Sequence, residues 1–263
     1  MRMNKNRLIS VSTLLLFLIS SPVTAEVFKA RLEWAHTVDL RVLESGVVDK
    51  VAVLEGQRVN SDALLLELDQ RDFDLAISSA RAALTKAEVE LDHAQRKFDW
   101  NSELYDQGLI SENEQHEGEI ARLAAEASVA AAKSTLVQKK IAKERSKLTA
   151  PFDGILILVD SWKGQVILPN LQKDPLIRLA SANEMVARAR VSADRVGDFE
   201  PGQEAMISVG NQTRPGKIYR IGAVSEGILE RGVAYAVDVI FSVADGERLR
   251  PGQFSKIDFS AGQ

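Results

Sequence analysis

Apolar and polar positions change period twice along this chain. From Glu26 to Asp69 they alternate: Val38, Leu40 and Val42 are interleaved with Thr37, Asp39 and Arg41, the pattern of a half-buried strand. At Asp72 the period lengthens. Phe73, Ile77, Ala80, Leu84, Ala87, Leu91, Ala94, Phe98, Asn101 and Tyr105 follow a four-three spacing, which predicts a helix of about 36 residues with a coiled-coil seam. Gly108 stops it and Leu109 follows as the usual apolar C-terminal residue. Ser111-Glu112-Asn113-Glu114 has the form of a capping box and starts a second helix. Its seam is read at Ile120, Leu123, Ala127, Ala130, Ser134, Val137, Ile141 and Leu148, with Glu144 interrupting and Gly118 costing about 1 kcal/mol relative to alanine. So short a connection makes the helices antiparallel neighbours. Pro151 returns the chain to strands.

The strands on either side of the helices share a pattern. Ser45-Gly46-Val47-Val48, Leu54-Glu55-Gly56-Gln57 and the run Leu64 to Asp69 recur as Asp153-Gly154-Ile155-Leu156, Trp162-Lys163-Gly164-Gln165 and Pro175 to Leu179. Two glycines stand ten positions apart in each copy. Neither copy can bury its apolar face alone, so the two are expected to form one β-sandwich that expels the intervening helices as a stiff hairpin. After Ala180, strands are read at Val186 to Val191, Ala205 to Val209, Lys217 to Val224, Val233 to Phe241 and Phe254 to Phe259. Pro201-Gly202-Gln203 and Pro251-Gly252-Gln253 mark equivalent turns. Short strands at near-regular spacing predict a small antiparallel barrel, and Ser192 is read as the cap of one short helix over Ser192 to Val196.

Composition narrows the function. Arg2, Lys5 and Arg7, the apolar stretch Leu8 to Ile19 and the small residues Val23-Thr24-Ala25 read as a signal peptide cleaved after Ala25. The competing reading, a retained anchor, has an apolar core shorter than the ~20 residues a span needs. Cleavage removes three cations and no acid, moving the net charge from −4 to about −7. That balance does not suit a nucleic-acid binder. The chain has no cysteine, which excludes disulfides and thiolate metal sites. His36, His93 and His116 are scattered without ligand spacing, and no nucleophile elbow or phosphate loop is present. No catalytic residue, metal site or cofactor is therefore expected, and the chain is read as a non-enzyme.

Together these residues resemble the bacterial periplasmic adaptor, or membrane fusion protein, family, including haemolysin-secretion-type efflux adaptor subunits. The resemblance rests on Ser45-Gly46-Val47-Val48 with Glu55-Gly56-Gln57-Arg58-Val59, on Leu148-Thr149-Ala150-Pro151-Phe152-Asp153-Gly154 with Gly164-Gln165-Val166, and on Leu249-Arg250-Pro251-Gly252-Gln253-Phe254. It implies a mixed α and β chain: a lipoyl-like β-sandwich interrupted by a long antiparallel α-helical coiled-coil hairpin and followed by a small antiparallel β-barrel. The expected divisions are signal peptide 1–25, first lipoyl-like half 26–70, hairpin 71–147, second half 148–181 and barrel 182–263. Many members carry a further membrane-proximal domain made by both chain ends; with Phe259 near the end of this sequence, it is expected to be absent.

The resemblance further implies a subunit in the periplasm, held at the inner membrane by an efflux or secretion transporter, reaching an outer-membrane channel protein and assembling as a homo-oligomeric ring. A stand-alone periplasmic coiled-coil scaffold is the alternative. The partner-binding residues would be Leu104, Gly108, Leu109, Ile110 and Ser111 at the hairpin tip. Leu104 and Ser111 match the family's tip pattern, but Trp100 holds the arginine position, with Arg96 and Lys97 about one turn earlier. Carrier lipoyl domains present a lysine for a covalent cofactor; the equivalent Leu68 to Asp72 has none.

Overall fold

A computed structural model describes residues 27–260 apart from 230, 231 and 245; the signal-peptide reading of residues 1–25 lies outside them. The strands before the helices are β1 (Val27–Trp34), β2 (Thr37–Leu40), β3 (Gly46–Val51), β4 (Arg58–Val59) and β5 (Leu64–Leu68). The helices are α1 (Arg71–Asp106) and α2 (Glu112–Arg145). Then come β6 (Lys147–Thr149), β7 (Gly154–Val159), β8 (Val166–Ile167) and β9 (Ile177–Ser181). The last are β10 (Glu184–Ser192), β11 (Glu204–Val209), β12 (Gln212–Leu229), β13 (Gly232–Ser242) and β14 (Phe254–Asp258).

The two repeated halves interleave. One sheet has the order β2-β9-β7-β4 and the other β6-β5-β3-β8, so each takes two strands from before the helices and two from after them. Their shared core likewise draws Leu65, Leu66 and Leu68 from the first half and Leu156, Ile177 and Leu179 from the second, all fully buried. Each such side chain contributes roughly 2 kcal/mol by leaving water, and half of that set is missing if either half stands alone.

Reciprocal hydrogen bonds lock the halves. The Gly56 N–H donates to the Leu156 carbonyl at 2.7 Å and the Leu156 N–H to the Gln57 carbonyl at 3.0 Å. Symmetrically, the Gly164 N–H donates to Val48 and the Val48 N–H to Gln165, both at 2.8 Å. The turn at each site is type II, with glycine in the left-handed region at its third position (φ +81° at Gly56, +88° at Gly164). The glutamine side chain accepts from the first residue's N–H, Leu54 at 3.0 Å and Trp162 at 3.2 Å. Asp153 adds a further tie by accepting from the Ser61 N–H at 2.7 Å. That bond gives the Ala-Pro-Phe-Asp-Gly stretch a structural purpose.

Six strands close the barrel in the order β1-β10-β13-β12-β11-β14. Here the sequence reading is corrected. Residues Val27–Trp34 were assigned with 26–70 to the sandwich, yet β1 pairs antiparallel with β10 and β14 and fills the gap between them. Five strands would leave two open edges, and an edge exposes unpaired backbone. Phe28 then completes an aromatic cluster with Phe199 and Phe259, with ring centroids 5.8 and 5.5 Å away. The expected helix capped by Ser192 is also absent. β10 runs through Ser192, and a 3₁₀ turn follows at Val196–Asp198 without a side-chain cap. The Gly-Gln turn recurs twice in the barrel, where Gly202 and Gly252 donate to Ile218 and Leu32, both at 2.8 Å.

Candidate functional site at the helical tip

The helices leave the sandwich where the Leu68 N–H donates to the Ser146 carbonyl at 3.1 Å and the Gln70 amide to the Ser146 hydroxyl at 2.9 Å. Asp74 and Lys143 form an ion pair one turn further out. Near the far end, Gly118 lies against Asn101, and the Arg122 guanidinium stands 5.5 Å over the Phe98 ring. These contacts make the helices antiparallel neighbours over their length. At 1.5 Å per residue α1 carries the tip ~54 Å from its base.

Their contact face differs from the reading on one side. On α1 the expected seam is the buried or half-buried one from Phe73 to Asn101, and Tyr105 at its end is exposed. On α2 the inward positions are Gly118, Arg122, Ala125, Val129, Ala132 and Leu136, again four-three spaced. The positions read as the seam point outward: Ile120 is 54% exposed, Leu123 48% and Val137 47%. Leu148, read as the end of that seam, instead lies in β6 in the sandwich core. The physical reason is size. α1 supplies Ile77, Leu84, Leu91 and Phe98, and the small residues at every second inward position of α2, Gly118, Ala125 and Ala132, let the axes approach, whereas ranking α2 positions by hydrophobicity selects its outer face. Gly118, counted as a cost in the sequence, is buried. A Cβ there would meet the Asn101 amide nitrogen at 3.1 Å, so glycine permits close approach near the tip.

The tip is built by two caps in succession. The Gly108 N–H donates to Tyr105 at 2.8 Å and the Leu109 N–H to Leu104 at 2.9 Å, a Schellman pair with Gly108 at φ +71°. Ser111 then closes a full capping box: its hydroxyl accepts from the Glu114 N–H, and the Glu114 carboxylate accepts from the Ser111 N–H at 2.9 Å. Those backbone and hydroxyl bonds hold the Glu114 carboxyl below the usual glutamate range. Gly108 and Ser111 are thus fixed by helix termination. Leu104 and Ile110 are half-buried, while Leu109 is 66% exposed at the end of the projection.

Electrostatics at the tip were missed in the sequence reading. Between Phe98 and Ala121 stand Asp99, Glu103, Asp106, Glu112, Glu114, Glu117 and Glu119, with no lysine or arginine. Arg96 does not supply the missing cation, because it is paired with Asp92 on its own helix. Trp100 is largely exposed beside it. The signal was available as a run of 24 residues without a cation, read along the turn instead of residue by residue.

Among the described residues no group of three or more His, Asp or Glu side chains is placed to hold a metal ion. His116 approaches Glu119 at 3.4 Å and His36 stands edge-on to Tyr219. Asp49, in β3, pairs with Lys163 at 3.1 Å. No helix among the described residues is long and apolar enough to cross a membrane.

No protein-family model matches this chain. An uncharacterized protein of Haemophilus influenzae is 27% identical over 252 residues, covering 90% of this chain and 61% of its own length. Multidrug resistance protein MdtA of Yersinia enterocolitica is 30% identical over 120 residues, covering 46% of this chain and 27% of its own. The chain therefore spans less than two thirds of either relative. Among solved structures, the membrane fusion protein Spr0693 from Streptococcus pneumoniae R6 superposes with a TM-score of 0.69 at 14% identity, over 89% of this chain and 98% of that one. A MacA–MexA chimera carrying the Pseudomonas aeruginosa MexA α-hairpin gives 0.63 at 23% identity, over 89% and 79%. This chain has the fold of the membrane fusion proteins. The resemblance carried by its motifs and the likeness found from its structure point to the same class.

Proposed function

We propose that this chain is a periplasmic adaptor subunit, linking an inner-membrane efflux or secretion transporter to an outer-membrane channel protein. The carrying observation is mechanical: a rod of ~54 Å is mounted on a sandwich whose two halves are interleaved, with both helices anchored at Ser146. The helices are read as a coiled-coil hairpin, which resists bending and transmits the position of the base to the tip. The barrel and the lipoyl-like sandwich pack side by side with neighbouring copies in a ring around the exported material. In this reading the adaptor couples and seals and performs no chemistry.

Leu104, Gly108, Leu109, Ile110 and Ser111 form the docking end. Leu109 supplies the apolar contact, and Gly108 and Ser111 set the turn that presents it. The surrounding carboxylates favour a channel surface bearing cations over one that answers an arginine, so the partner's groove is complementary to this tip and differs from that of family members with arginine at the Trp100 position. A photo-crosslinking residue in place of Leu109 tests this in cells. The expected product joins this chain to an outer-membrane channel protein. Recovery of the uncrosslinked chain alone, with the protein exported and folded, would contradict the reading.

A further inference from the structure

Three adjacent strands of the barrel wall place like charges opposite one another. Lys29 of β1 stands across from Lys256 of β14, and Arg31 of β1 across from Arg188 of β10. One residue beyond the Ala30–Ala189 pair, Arg190 takes the place beside Lys29. Lys256, Lys29 and Arg190 thus form one row across β14, β1 and β10, with Arg31 in the next row. Like charges directly opposite each other destabilise a sheet. Arg188 is compensated by Asp238, Glu33 and Glu226. Lys29, Arg31, Arg190 and Lys256 are all exposed, and among the described residues none of them has an ion-pair partner. Asp258 borders the row across from Val27, where its carboxylate accepts from the Ser260 N–H and hydroxyl.

Apolar side chains flank these cations. Phe254 lies across from Arg31, whose guanidinium stands 5.0 Å over the ring, and is 73% exposed. Val27, one row toward the barrel end, is 51% exposed. Cations and ring border a shallow groove of about 450 Å3. Neighbouring strands are ~4.8 Å apart, so the row is spread along the wall and does not converge on a point. That spacing fits a plane of many anions better than a single one. An exposed ring beside it fits the headgroup level of a bilayer, where aromatic side chains settle. The row also lies at the barrel end remote from the sandwich. β1 leaves for the sandwich after Trp34 and β10 arrives from it at Glu184, so Val27, Ser192 and Asp258 mark the opposite end.

We infer that this wall binds the surface of a bilayer containing anionic phospholipid, with Lys29, Arg190 and Lys256 on lipid phosphates and Phe254 among the headgroups. The inference deepens the adaptor reading and rests on it for which membrane is met: with the helical tip at an outer-membrane channel, this end of the barrel faces the inner membrane. It gives the chain a hold on that membrane in addition to the one supplied by a transporter. The phosphates neutralise the row, so a charge pattern that weakens the free barrel strengthens the bound one.

Vesicle flotation of the full-length protein, purified after export, tests this. Binding is expected to phosphatidylcholine vesicles that contain phosphatidylglycerol, not to phosphatidylcholine alone, and should fall as salt rises. Lys29→Gln with Lys256→Gln should weaken binding about thirtyfold, the equivalent of roughly 1 kcal/mol for each cation. The same pair should leave the urea midpoint at or above that of wild type, because the Lys29–Lys256 repulsion is gone. Lys139→Gln with Lys140→Gln, both exposed on α2, makes the same change in net charge and should leave binding unchanged. Equal weakening by the two pairs would overturn the inference. Displacement by glycerol phosphate would also do so, marking a site for one small anion. Binding to polyglutamate but not to vesicles would assign the wall to an acidic protein instead. No vesicle binding at all would overturn the lipid contact while leaving the adaptor reading to the Leu109 crosslink. Vesicle binding without channel capture would support the contact and remove the adaptor reading.

Discussion

Gly154→Ala is expected to destabilise the protein by about 3 kcal/mol, the largest effect of any single methyl group added to the sandwich. The Cβ it introduces would lie 2.5 Å from the Ala180 carbonyl oxygen and 2.7 Å from Leu179 Cδ1. The first of these atoms is backbone, held in the β7–β9 ladder, where Gly154 pairs with Ser181 and Ile155 with Ala180. Neither strand can yield without opening the sheet that joins the halves. Gly56→Ala is the matched control. Gly56 has φ +81° and nothing within 4 Å of its added Cβ, so the cost is left-handed strain alone, about 1 kcal/mol. Urea unfolding of both variants measures the difference. Equal losses would mean that the close approach at Gly154 does not govern closure.

Asp238→Asn is expected to cost about 3 kcal/mol at neutral pH. Asp238 is buried in the barrel wall between two arginines: Arg188 donates from Nε and Nη2 at 2.7 and 3.0 Å, and Arg220 from Nη2 at 2.7 Å. Burial alone would push its carboxyl up, but the hydrogen bonds and charges of Arg188 and Arg220 outweigh that and hold it below the usual aspartate value. Asparagine keeps the shape and removes the charge, leaving Arg188 to its weaker partners Glu33 at 2.9 Å and Glu226 at 3.8 Å. A depressed folded pKa stabilises the fold above the unfolded value and loses that contribution as pH falls through the folded value. The gap in thermal midpoint between wild type and Asp238→Asn should therefore be full near pH 7 and shrink below about pH 4. A gap constant down to pH 3 would assign the effect to packing instead of charge.

Local signals in the sequence carried much of this architecture, and contacts distant in sequence decided what was misread. Gly108, the Ser111–Glu114 box and the α1 seam each depend on residues a few positions apart, and each lies where its spacing placed it. The four Gly-Gln turns were visible as two unrelated pairs. That glycine donates to a neighbouring strand in each, from Gly56 to Leu156, Gly164 to Val48, Gly202 to Ile218 and Gly252 to Leu32, emerges only when the partner strands are in place. β1 was misassigned because nothing within Val27–Trp34 distinguishes a barrel strand from a sandwich strand; its neighbours β10 and β14 lie over 150 residues away. The α2 seam was misread because an alanine-rich helix offers several faces with the same period. Bulk on α1, not hydrophobicity on α2, selects among them. At the tip, the named residues could be found by position, but their acidic surroundings are a property of two helix ends brought side by side.

The split sandwich is the premise of everything else, and shortening the hairpin tests it most directly. Residues 75–142 are replaced by a short Gly-Ser turn between Asp74 and Lys143, which already meet as an ion pair. Phe73 and the Ser146 anchors remain in place. A shorter connection lowers the entropy cost of bringing the halves together. The account predicts a soluble chain that loses most of its helical circular dichroism, unfolds cooperatively at or above the wild-type denaturant midpoint, and no longer reaches the channel. A shortened chain that fails to fold would contradict it, showing that the helices assemble the sandwich instead of projecting from it.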